Sequence, residues 1–175
     1  MQLQTIPSSL HELDRTEADV IACGIWSSDR PPHGLAGLLD WRLCGGLSQL
    51  LYKRSFLGEG GELLLYASES KPPPFHRILF LGIGEKSHFD LSRFIAMLQR
   101  FVSVCESIRA RTAIIEIPSL CNTDLESGQD LDAVLSAMDS SATAKEWFLF
   151  GEEEKRIRWQ IERQKMRARA NELLP

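Results

Sequence analysis

The residues best placed to do chemistry are Asp124 and Glu126, in the stretch 121-CNTDLESGQD-130. Two carboxylates two positions apart could help to hold a pair of divalent cations that clamp an attacking water and a leaving group. Such a site also needs further carboxylates and a lysine, and two carboxylates alone bind metal weakly. Other ligand sets are absent from the sequence. His11, His33, His76 and His88 are scattered, with no pair at the i, i+4 spacing of a helical zinc site. Cys23, Cys44, Cys105 and Cys121 form no Cys-x-x-Cys pair, which argues against a zinc ribbon or a thioredoxin-type centre. There is no Gly-x-Ser-x-Gly nucleophile elbow.

Two glycine-rich stretches, Gly82-Ile83-Gly84 and 58-GEGG-61, raise the alternative of a phosphate loop. The first follows an apolar strand and precedes a helix, but it lacks the third glycine of a dinucleotide fingerprint. Neither completes the Gly-x-x-x-x-Gly-Lys-Ser/Thr pattern of a Walker loop. Both read as structural turns.

The elements that must position these residues follow from periodicity. The run 19-DVIACGIW-26 is a buried strand, and 27-SSDRPPHG-34 a loop at its C-terminal end. From Leu35 to Tyr52 leucines recur at helical spacing, broken into two short helices by Gly45-Gly46. Strands are expected at 2–6, 62–68 and 77–84, with 71-KPPPF-75 as a turn outside any ladder. The clearest helix runs from Leu91 to Ala110 on one apolar stripe. After it come a strand at 112–117, a loop at 119–129, a helix at 130–138 and a strand at 147–150. A charged helix from Glu152 to Asn171 closes the chain, anchored through Ile157 and Ile161. Alternating strands and helices imply an α/β protein, a mixed sheet with helices on both faces. No linker divides residues 1–151, and 152–175 form a helix packing on that domain and projecting from it.

At 175 residues, 43% hydrophobic and 25% charged, the chain has the profile of one soluble domain. No export signal precedes Asp14 and no apolar run reaches membrane-spanning length, so a cytoplasmic protein with reduced thiols is expected. The net charge of −4 is uneven. Seven basic residues and one acidic one lie between Lys155 and Arg169, leaving 13 of the 20 basic and 23 of the 24 acidic residues elsewhere. An acidic body with a basic end points to a protein-docking end and makes nucleic acid an unlikely partner. Trp159, Arg163, Met166 and Arg167 are the docking residues this predicts.

In order, 19-DVIACGIW-26, 55-SFLGEGGELLLYAS-68, 77-RILFLGIGEK-86 and 112-TAIIEIP-118 resemble the N-terminal domain of the leucine (cytosol) aminopeptidases. The nearest phrase is the apolar strand running into Gly-Ile-Gly-Glu-Lys, where that domain shows Gly-x-Gly-Lys. The resemblance extends from Asp19 to the last helix. It implies a macro-domain-like, three-layer α/β/α sandwich with a mixed, roughly six-stranded sheet. In the full-length enzymes a metallopeptidase domain follows, joined by a helix, and this chain stops at Pro175 inside what resembles that helix. The family's metal ligands come from three motifs, the last being Asn-Thr-Asp-x-Glu-Gly-Arg. Here Ser127-Gly128 follows Glu126, and the other two motifs have no counterpart. Asp124 and Glu126 are therefore a chance match, and no catalytic residue, metal or cofactor is expected.

The resemblance to macro domains implies a second reading, a pocket for ADP-ribose or a related nucleotide. Asp19 matches their adenine-contacting aspartate. With Ser27 and Ser28 after the second strand, and Ser119, Asn122 and Thr123 after the fifth, it would line a crevice at the strand C-terminal ends. Two features depart from that pattern: 118-PSLCNTD-124 holds no glycine, and 22-ACGIW-26 replaces an Asn-Ala-Ala-Asn run. Three function classes stay open: a non-catalytic accessory domain, partnered by a separate aminopeptidase catalytic chain or by itself; a nucleotide-binding module; and an enzyme of another type using the same crevice.

Overall fold

At the centre of the sheet lies β2, Ala18–Trp26, with parallel neighbours on both sides. A strand covered on both faces is apolar over most of its length, and Ala18, Val20 to Cys23 and Ile25 are all buried. The computed structural model describes residues 1–67, 75–116 and 128–151. Around β2 stand β1 (Gln2–Ile6), β3 (Leu63–Ala67), β4 (Phe75–Gly84), β5 (Thr112–Glu116) and β6 (Glu146–Phe150), in the order β1-β6-β5-β2-β4-β3. Every pairing is parallel except β3 with β4, so β3 forms an antiparallel edge.

Side chains alternate across the sheet and build two cores. Ile21, Cys23, Ile25, Ile78, Phe80 and Ile114 face α1 (Leu10–Arg15), α2 (Gly34–Arg42) and α3 (Gly46–Tyr52). Val20, Ala22, Leu79, Leu81, Ala113, Ile115, Trp147 and Leu149 face α4 (Leu91–Ser107) and α5 (Gly128–Asp139). The result is the expected three-layer α/β/α sandwich with a mixed six-stranded sheet. Burying α4's Phe94, Leu98 and Phe101 stabilises the second core by roughly 1.5–3 kcal/mol per side chain.

Local sequence fixes the ends of these elements. Asp90 caps α4, its carboxylate accepting from Arg93 N at 2.8 Å. That helix stops at Ser107, short of the expected Ala110. Arg109 adopts a left-handed φ of 55°, and Ala110 N donates back to Cys105 O at 2.8 Å. At the other boundary, β4 begins inside the stretch expected to be a turn. Phe75 pairs with Ala18, because β2 starts early enough to offer it a ladder partner. A further helix, α1, had no apolar repeat to announce it. Ser9 Oγ accepts from Glu12 N at 3.2 Å, and Leu13 is its one fully buried anchor. The charged helix expected at 152–171 lies outside the described residues.

Candidate functional site

In an open α/β sheet, ligands bind beyond the strand C-terminal ends, where consecutive connections leave for opposite faces. The chain after β2 turns to the α2 face, while that after β4 turns to the α4 face, so the crevice opens at the ends of β2, β4 and β5. It is built from the 27–33 loop, the first turn of α2, the end of β4 and Glu116.

Glu116 ends β5, and its Oε1 accepts from Leu35 N, in the first turn of α2, at 3.0 Å. Gly34 makes the approach feasible: a Cβ there would lie 2.6 Å from that oxygen. Burial pushes the Glu116 carboxyl up from 4.5 to about 7; the Leu35 hydrogen bond opposes the shift and the charge of Asp29 adds to it. Asp29 is buried beside it, its Oδ1 at 3.8 Å from His33 Nδ1 and 3.9 Å from Lys86 Nζ. Lys86 in turn lies 5.6 Å from the centre of the Trp26 ring. Arg30 closes the loop, donating to Asp29 O at 2.7 Å and to Leu57 O at 3.0 Å. The outcome is a crevice whose helix N-terminus already holds a carboxylate of the same chain.

The expected ligand residues do not gather here as a set. Asp19 opens β2 and Ser27 follows it, so the two stand at opposite ends of a strand about 25 Å long. The adenine-contact role for Asp19 at this crevice is thereby corrected. Its Oδ2 accepts from Arg111 N at 2.7 Å and from Thr112 N at 3.1 Å, tying down the start of β5. Thr112 Oγ1 returns a bond by accepting from Asp19 N at 2.9 Å. Asp19→Ala is expected to cost about 1.5–3 kcal/mol in urea unfolding, since it removes a carboxylate that accepts from two backbone donors. Asp19→Asn, which keeps an acceptor, should lose less.

Ser27 and Ser28 do stand at the crevice, Ser27 N donating to Gly84 O at 3.0 Å. Ser119, Asn122 and Thr123 lie outside the described residues, as do Asp124 and Glu126 and the docking set Trp159, Arg163, Met166 and Arg167. The two glycine-rich stretches bind each other. Gly61 N donates to Gly82 O, Gly82 N to Glu62 O and Gly84 N to Gly58 O, at 2.8–3.1 Å. Those amides are therefore committed to the fold. Of the thiols, Cys23 and Cys105 are buried core groups, both pushed up by burial, Cys105 to about 12. Among the described residues no group of three or more His, Cys, Asp or Glu side chains is arranged to hold a metal, and no helix is long and apolar enough to cross a membrane.

Sequence reading missed Glu116. A glutamate ending an apolar strand belongs to no motif, and its partner, Leu35, is 81 residues away. The available signal was a lone carboxylate at the C-terminal end of a buried strand, where such sheets place their ligands.

Sheet order, layering and crevice define a macro-domain-like α/β/α protein. Residues 22–142 match the family model described as the cytosol aminopeptidase family, N-terminal domain, and the chain belongs to that family. The fold is similar to that of a tomato leucine aminopeptidase mutant, with a TM-score of 0.68 and 17% identity over 93% of this chain and 35% of that one. This chain thus spans about a third of the tomato enzyme's length. The macrodomain of Thermus aquaticus DarG is similar at a TM-score of 0.62 and 14% identity, over 86% of this chain and 98% of that one. A Trypanosoma brucei macrodomain in complex with ADP-ribose is similar at 0.63 and 14%, over 89% and 66%. No curated protein sequence matches the chain. At these identities the structural likeness establishes the fold.

Proposed function

We propose that this is a non-catalytic cytoplasmic domain that assists the assembly or regulation of an aminopeptidase of its own family through protein contacts. The observation that carries the reading is the bond from Leu35 N to the Glu116 carboxylate. A diphosphate in this crevice would have to displace a carboxylate already seated on the helix N-terminus, next to the buried charge of Asp29. Family membership supports a role alongside a peptidase domain. The sequence itself supports the absence of hydrolysis, because Asp124 and Glu126 stand without the lysine and further carboxylates of a two-metal site.

Co-expression with a catalytic aminopeptidase chain from the same organism tests this. The two chains are expected to co-elute in size exclusion and to shift the thermal stability of the peptidase. The domain alone should not hydrolyse leucyl substrates with manganese or zinc added. Separate elution at micromolar concentrations, or metal-dependent hydrolysis lost in Asp124→Ala, would overturn the reading.

One observation favours a nucleotide-binding alternative. With its carboxyl at about 7, Glu116 sheds its charge in mildly acidic solution, which weakens the barrier to an anion. On that reading ADP-ribose affinity rises as pH falls below about 7 and becomes pH-independent in Glu116→Gln.

A further inference from the structure

A second concavity lies on the α4 face, the opposite side of the sheet from the Leu35–Glu116 contact. It encloses about 370 Å³ between the edge strand β3 and α4, within the range of small-molecule sites. Its walls are apolar, with Leu63, Leu81, Phe89 and Met97 among them. α4 does not extend over β3, so Leu63 and Leu65 are left 39% and 46% exposed. Apolar surface held open to water in a concave setting is what an apolar ligand body relieves.

The rim carries two arginines and one glutamate. Arg93 and Arg100 lie seven residues apart on α4, about 10 Å along its axis, and both line the cavity. Arg100 Nη1 donates to Gly61 O at 2.7 Å, which fixes that guanidinium beside the 58–61 turn. The Arg93 guanidinium has no hydrogen-bond or ion-pair partner among the described residues. Glu62, the acidic residue of the lining, is engaged elsewhere: its Oε2 accepts from Leu57 N at 2.9 Å and from Glu59 N at 3.0 Å. We propose that this cavity binds a small carboxylate with an apolar body, its tail on the Leu63, Phe89 and Met97 wall and its carboxylate at the arginines. A guanidinium meets a carboxylate with two parallel N–H donors, so the anion end is oriented as well as attracted.

Decanoate is the probe, titrated by calorimetry with the Met97 methyl resonance as a reporter of position. Saturable sub-millimolar binding that shifts Met97 is expected, with decyltrimethylammonium at least about tenfold weaker. Ala96→Glu is the companion variant. Ala96 is exposed, lines the cavity and lies three residues after Arg93 and four before Arg100. A carboxylate there pairs with both guanidinium groups while preserving the helix, and decanoate affinity should fall at least about tenfold with the urea midpoint unchanged. Should that variant fail to fold, the Arg93→Gln, Arg100→Gln double variant takes its place with the same expectation. Equal binding of the anion and the cation, undiminished decanoate binding in the folded variants, or no saturable binding at millimolar ligand would each overturn the proposal.

Discussion

Gly82→Ala is expected to destabilise the protein by about 3 kcal/mol, among the larger effects available to a single methyl group. Gly82 lies within β4, and the 58–61 turn packs directly on it. A Cβ at this position would lie 2.0 Å from Glu59 O, with the Gly58 and Glu59 carbonyl carbons at 2.9 and 3.0 Å. All three are backbone atoms, so no side-chain rotation relieves the clash. The strand cannot retreat either, because β4 is paired on both sides, with β2 and with β3. Relief would require breaking the Gly82 N to Glu62 O and Gly61 N to Gly82 O bonds that hold the turn. Urea unfolding should show a lower midpoint at an unchanged slope. Gly60→Ala is the matched control: the nearest atom to its Cβ is Ile83 O at 3.9 Å, an ordinary contact. If both variants lose equally little, the close packing of the two glycine stretches is wrong.

Glu116→Gln is expected to stabilise the protein above neutral pH, and the sign follows from linkage. The folded carboxyl stands at about 7 against 4.5 for the ordinary group. Between those values the folded state holds a proton that the unfolded state has released. Stability from this group therefore falls as pH rises through that window, and the loss is complete above about 7. Glutamine keeps an oxygen to accept from Leu35 N and has no charge to desolvate. At alkaline pH the variant should be more stable by on the order of 3 kcal/mol, the difference fading as the wild-type carboxyl protonates in acid. Parallel stability curves for the two proteins across the window would contradict the burial of this carboxylate.

These two residues mark where sequence reading succeeded and where it stopped. The buried strands were legible because β2 and β4 are apolar on both faces, and α4 because its stripe repeats over four turns. Gly82 and Gly84, expected in a turn, instead end β4, and their packing on the 58–61 stretch is not visible in the sequence, since residues 58–61 and 82–84 meet only once β3 and β4 pair. α1 has one fully buried side chain, Leu13, too little for periodicity to register, although its Ser9 to Glu12 capping pattern was in plain view. Asp19 was identified as a special carboxylate, but strand direction decides its role, and it sits at the N-terminal end. Glu116 became a site residue only when the fold brought the end of β5 to the start of α2.

The most direct test of the central claim is titration calorimetry of ADP-ribose into the purified protein at mildly alkaline pH, where Glu116 is ionised. A crevice held by the chain's own carboxylate predicts no saturable heat up to millimolar nucleotide. Stoichiometric binding with a micromolar Kd, abolished by substitutions in the 27–30 loop, would contradict it and make the domain a nucleotide sensor.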